Sequence, residues 1–179
     1  MLKWLWLTAG VVLIDQLSKL IASTYLTLHQ PVELVPLFNL TLMHNSGAAF
    51  SFLSDAGGWQ RWFFALVSIV VSVAIIAWLR RLRHERLQAA SLALILGGAL
   101  GNLIDRLFHG YVIDFVDVYY SGASCLPMFF QWQRNGIAEC HWPAFNVADS
   151  AITVGVVLIL VDAINQHLAD RKLAAKYKE

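Results

Sequence analysis

The chain has 179 residues, 58% of them hydrophobic and 14% charged, with a mean hydropathy of +0.59 and a formal net charge of +1. This balance excludes an ordinary soluble domain, and a chain this short holds four membrane crossings of about 20 apolar residues each and no second domain. The basic residues sit in short flanks between apolar runs and form no nucleic-acid-binding face.

The first apolar window runs from Trp4 to about Tyr25. Lys3 followed by Trp4–Ile14 matches the opening of a cleavable signal peptide, but Asp15 and Lys19 fall where small residues would mark the cut, so the segment reads as an uncleaved span. A charge at the centre of a span costs about 2.5–3.5 kcal/mol on insertion scales, so this pair needs a role. Four residues apart, the two side chains share a helix face, and an ion pair that fixes helix packing is the favoured reading.

Beyond the first span, Val32–Leu42 mixes β-branched and apolar residues with short-period alternation, which predicts one or two strands on the membrane surface. Asn45-Ser46-Gly47-Ala48-Ala49-Phe50 reads as a turn entering a short apolar helix. Trp59, Trp62, Phe63 and Phe64 fit an interfacial aromatic belt at the start of a second span, Trp62–Leu79. The third, Leu87 to about Phe108, contains Gly97 and Gly101 as a small-residue face for close helix approach, then Asn102 and Arg106 one turn apart. An amide and a guanidinium placed there suit a peptide backbone or a phosphate-bearing head group, whereas Arg106 alone would simply snorkel to the interface. Asp105 points elsewhere around the helix and reads as structural.

The segment from His109 to Asn146 reads as an outer loop, and with fourteen residues between them Cys125 and Cys140 suit a disulfide in an oxidising compartment. Cys140-His141 lacks the paired spacing of a zinc site. The fourth span covers about Val147 to Leu168. Lys3, the Arg80, Arg81, Arg83, Arg86 cluster and the tail Arg171, Lys172, Lys176, Lys178 hold nine of the thirteen Lys and Arg residues. The positive-inside rule then puts both termini in the cytoplasm and segments 26–61 and 109–146 outside.

Asp114, in Val112-Ile113-Asp114-Phe115, and Asp149, in Phe145-Asn146-Val147-Ala148-Asp149-Ser150, each lie at the outer boundary of a span. If the two helix ends meet, one carboxylate stays ionised as general base while its neighbour holds the proton, an arrangement that activates water for amide hydrolysis. Taken singly, Asp149 would be a helix N-terminal cap and Asp114 a loop acid. His44 and Ser46 lie close in sequence, but no nucleophile elbow or phosphate-cradling loop accompanies them. Two rival readings are a small transporter or proton carrier using Asp15, Lys19, Arg106 and Asp149 as a relay, and a non-catalytic assembly factor.

In sequence the chain resembles the bacterial lipoprotein signal peptidases, also called signal peptidase II. The likeness rests on Asp15-Gln16-Leu17-Ser18-Lys19, Asn45 to Phe50, Gly98 through Asn102 to Asp105-Arg106, Val112 to Phe115, and Phe145 to Ser150, five motifs in family order over nearly the whole chain. The resemblance implies a fold of four transmembrane helices with a small extracytoplasmic β and amphipathic-helix element, as one peptidase domain. It also implies an inner-membrane aspartyl endopeptidase that cuts diacylglyceryl-modified prolipoproteins before the lipidated cysteine. Asp114 and Asp149 would be catalytic, Asn45, Asn102, Arg106 and Asn146 would line the substrate cleft, and Asp15 and Lys19 would support the structure. No metal or organic cofactor is implied; membrane lipids and globomycin-type inhibitors are implied partners, and the protein would act as a monomer near the periplasmic face. One departure stands out: the connection between the two carboxylates is longer than the family pattern, the excess lying at about residues 120–142, where added loop length costs little closure entropy.

Overall fold

A computed structural model describes residues 2–47, 57–82, 85–122, 124–134 and 136–176. Four long helices dominate: α1 (Leu2–Tyr25), α2 (Trp59–Arg81), α3 (Arg86–Phe108) and α4 (Val147–Lys176). All four are long and apolar enough to cross a bilayer. Helix α2 begins three residues before the apolar window Trp62–Leu79, because Gly57 and Gly58 take positive φ of 78° and 99° and turn the chain directly into Trp59. The turn and short helix read at Asn45–Phe50 lie outside the described residues beyond Gly47.

Helix α3 is the centre of the bundle and packs on each of the other three. Its glycines set the distances. A Cβ on Gly97 would lie 2.7 Å from Val11 Cβ of α1, and one on Gly98 would fall on the Ala148 carbonyl of α4. At Gly101 it would meet Asp15 Oδ2 at 2.5 Å and Ala148 Cβ at 3.3 Å. Thus Gly97 and Gly101 do form a small-residue face, directed at α1, and Gly98 adds a second directed at α4. Against α2, Leu92 and Leu96 of α3 close an apolar cluster with Ile75 and Leu79.

Beyond one end of the bundle sits a five-stranded antiparallel sheet of β1 (Pro31–Val35), β2 (Phe38–Asn45), β3 (Val112–Ser121), β4 (Phe130–Arg134) and β5 (Ile137–His141), in the order β1-β2-β3-β5-β4. The strands expected at Val32–Leu42 are β1 and most of β2. Segment 109–146 is more than a loop, since it supplies three of the five strands. Strand β3 is buried on both faces over residues 112–115, so the start of its sequence shows no polar alternation to betray it. Cys125 and Cys140 are bonded, with their Cα atoms 5.4 Å apart, and tie the connection before β4 to β5.

Candidate active site

The sheet end of the bundle is organised by buried ions. Lys19, 1% exposed, lies 2.8 Å from Asp15 Oδ2 and 2.8 Å from Asp105 Oδ2, and donates to Asn102 Oδ1 at 3.0 Å, so all three ammonium protons have acceptors. Gln16 Nε2 donates to Asp105 Oδ1 at 2.9 Å, and the Ile113 amide donates to Asp105 Oδ2 at 3.1 Å. Asp15 spends its other oxygen on α4, accepting from the Ala148 amide at 2.8 Å. An α1 carboxylate therefore satisfies one of the orphan donors in the first turn of α4, where a negative charge also meets the positive end of the helix dipole.

Asn146 performs the second half of that capping. Its Oδ1 accepts from the Asp149 amide at 2.9 Å, while Asp149 Oδ2 accepts from the Asn146 amide at 3.3 Å, a reciprocal capping box. Asn146 is therefore the cap and Asp149 the third residue of the helix, where the side chain is turned back toward the sheet. The other Asp149 oxygen accepts from Asn102 Nδ2 at 2.8 Å.

Asp114 sits on β3 rather than at a helix end, opposite Met43 of β2. Two positions along β2 from Met43, Asn45 shares that face and donates from Nδ2 to Asp114 Oδ2 at 3.0 Å. Asn146 Nδ2 donates to Asp114 Oδ1 at 2.7 Å. One asparagine thus touches both acids, through its side chain to Asp114 and through its backbone to Asp149. Burial, reinforced by the negative charge of Asp149, pushes the Asp114 carboxyl up to about 7, against the opposing pull of the Asn45 and Asn146 hydrogen bonds.

Of the other expected site residues, Asn102 and Asn146 are 7% and 0% exposed and committed to this network. Arg106 reaches across to the loop after β2, donating to the Gly47 carbonyl at 3.0 Å, and its guanidinium lies over the Phe64 ring at 5.3 Å. A cleft of about 620 Å³ opens on Asn45, Asn102, Arg106 and Asp149, walled by Val112, Phe145, Ile152 and Val154. A second cavity of about 310 Å³ opens on Asp114 under the sheet, and the two share Asn45, Trp142, Pro143 and Ala144.

Sequence reading missed Asp117 and His141, which meet in the second cavity. Asp117 accepts from Thr41 Oγ1 at 2.6 Å and pairs with His141 Nδ1 at 2.7 Å. Asp117 alternates with Val116 and Val118 in the apolar run, a signal for an inward-facing strand acid, but its partners come from β2 and β5 and no local pattern names them. Among the described residues, no group of three or more His, Cys, Asp and Glu side chains is arranged to hold a metal ion.

Fold and site together define a multi-pass membrane protein with two hydrogen-bonded carboxylates where its helices meet an extramembrane sheet. Residues 7–165 match the family model for signal peptidase (SPase) II, and the chain belongs to that family. It is 46% identical over 162 residues to the lipoprotein signal peptidase of Alteromonas mediterranea, covering 90% of this chain and 80% of the relative. To that of Pseudomonas aeruginosa it is 48% identical over 163 residues, covering 90% and 87%. A solved structure described as a bacterial membrane enzyme, determined by the in meso method, aligns with a TM-score of 0.75 at 28% identity, covering 93% of this chain and 90% of its own.

Proposed function

We propose that the protein is an aspartic endopeptidase of the bacterial inner membrane that removes signal peptides from diacylglyceryl-modified prolipoproteins, cutting before the modified cysteine. Membership of the signal peptidase II family supports the substrate class. The observation that carries the chemistry is the contact of Asn146 with both Asp114 and Asp149, two acids from separate elements at the junction of two cavities. A carboxyl held protonated up to about pH 7 beside a hydrogen-bonded carboxylate divides one proton between them. The ionised member takes a proton from water as it attacks the scissile carbonyl, and the protonated member supplies one to the departing amine. Asn45 and Arg106, at the mouth of the cleft, bind the substrate main chain; Asn102 and Asn146 hold the acids in place.

The apolar cleft beside α4 suits a signal helix entering sideways from the bilayer, and cyclic peptides of the globomycin type would occupy the same place. Arg80, Arg81 and Arg86 at the opposite end of the bundle support cytoplasmic termini and a site near the periplasmic face. A proton relay would need ionisable groups through the full depth, but the buried charges of α1 and α3, Asp15, Lys19, Asp105 and Arg106, gather at the sheet end. Purified protein incubated with a diacylglyceryl prolipoprotein should release the signal peptide. Asp114→Asn and Asp149→Asn should abolish release while the protein stays folded, and full cleavage by either variant would overturn the assignment.

A further inference from the structure

The second cavity has no part in the chemistry just described, yet it starts at Asp114. Its far wall is built by the disulfide-tied β4–β5 hairpin and by β2 and β3, with Thr41, Asp117, Gln131, Trp132 and His141 facing the space. Any chain lying in the apolar cleft with its scissile bond at Asp114 and Asp149 must continue past Asn45 and Trp142–Ala144, the residues that the two cavities share.

His141 is the most constrained polar group on this wall. It is 7% exposed, and its ring lies nearly parallel to Tyr119 at 5.6 Å, with Trp132 at 5.3 Å on a steeper angle. Nδ1 is engaged by Asp117, itself 3% exposed and anchored by Thr41. Nε2 is buried and makes no hydrogen bond of good geometry among the described residues; its one polar contact is a long ion pair to Glu139 Oε2 at 3.5 Å, formed when the ring is protonated. A side chain fixed through one nitrogen, with the other held only by a long ion pair beside a cavity, is arranged to meet a ligand, because a buried donor without a hydrogen bond costs free energy that a bound acceptor returns. Burial alone would lower the basicity of this ring. The hydrogen bond and charge of Asp117, together with the charge and proximity of Glu139, outweigh it, so the imidazole is held above its ordinary value, the direction that favours the form with a proton on both nitrogens. The other charged group near this face, Arg134, is taken up by Glu33 at 3.2 Å and Glu139 at 3.8 Å.

We propose that this cavity binds the polypeptide just beyond the scissile bond, in extended form, with His141 Nε2 donating to one of its main-chain carbonyls and Asp117 acting as the positioning residue for His141. The proposal rests on the reading of Asp114 and Asp149 as the cleaving pair. It makes the β4–β5 hairpin a substrate-binding element, so that affinity depends on the mature part of the substrate as well as on its signal helix.

The experiment uses two synthetic substrates with the same signal sequence and diacylglyceryl cysteine, one ending as an amide at that cysteine and one continuing for several residues. Wild-type protein should cleave the longer with the lower KM. His141→Ala should raise KM for the longer substrate about tenfold, the size of one hydrogen bond to a charged donor, and leave the shorter unchanged. His141→Gln, whose amide can donate from a similar position, should recover part of the loss, and Asp117→Asn should fall between. Equal losses on both substrates, as from a misfolded hairpin, would overturn the proposal, as would no loss on either. Failure of wild type to cleave either substrate, or full activity of Asp114→Asn, would instead remove the underlying reading and the proposal with it.

Discussion

Removing the Asn45 amide gives the most direct access to the proton held by the acid pair. Its hydrogen bond to Asp114 favours the ionised carboxyl, so Asn45→Ala should raise the Asp114 value further above its present position of about 7. A hydrogen bond to a charged group contributes about 1.5–3 kcal/mol, and 1.36 kcal/mol corresponds to about one pKa unit. Asn45 lies at the half-buried lip of the site, which places the effect at the lower end, about one unit. If cleavage needs one shared proton, kcat/KM falls on the alkaline side as that proton is lost, near pH 7 in the wild type and near pH 8 in the variant. The profile is best taken between pH 5 and 10 with the substrate that ends at the modified cysteine, so that His141 does not enter. An alkaline limb that stays put, or moves to lower pH, would refute the assignment of that proton to the pair.

Lys19→Met should destabilise the protein by about 3–5 kcal/mol, because it strands Asp15 and Asp105 as buried charges, and adding Asp15→Asn and Asp105→Asn should restore part of the loss of thermal stability in detergent. Gly98→Ala should separate α4 from α3, because its Cβ falls on backbone rather than on a flexible side chain. Both activity and melting temperature should drop, whereas Gly10→Ala, with open space around it, should change neither. Replacing both Cys125 and Cys140 with Ser should cost up to about 3 kcal/mol for a loop of this length, seen as faster proteolysis within the β4–β5 hairpin while the helices remain protected.

The four spans and the Asp15–Lys19 pair were legible because each is written in local sequence: a long uncharged run, or two ionisable residues one helical turn apart. The Asn146–Asp149 cap was only half legible: Asp149 looked like the cap of the fourth span, whereas Asn146 caps it and Asp149, three residues on, closes the capping box. The strands of segment 109–146 were hidden because the first residues of β3, 112–115, are buried on both faces and carry no period-two signal. Asp114 looked like a helix-boundary acid for the same reason; only its pairing with Met43 shows it to be a strand residue. Asn102 shows what sequence conceals most completely. It accepts from Lys19 and Asn146 and donates to Asp149, joining residues 83, 44 and 47 positions away, and no local pattern announces such a junction.

Helix α4 is the least buried of the four, and its attachments are unevenly placed. Ala148 is held by Asp15 and seated on Gly98, Gly155 lies against Ser91 and Ile95, and Ile159 touches the apolar cluster. Farther along, Leu160, Val161, Ile164 and Leu168 stand open to the lipid. The helix is thus a cantilever, clamped beside Asp149 and unpacked over residues 160–168. When a bilayer thickens or thins, its tilt and curvature adjust over the free half at a cost of fractions of a kcal/mol per Å. The contacts that place Asp149 all lie in the clamped half, so on the proposed mechanism the two acids would stay aligned as the composition of the surrounding membrane changes.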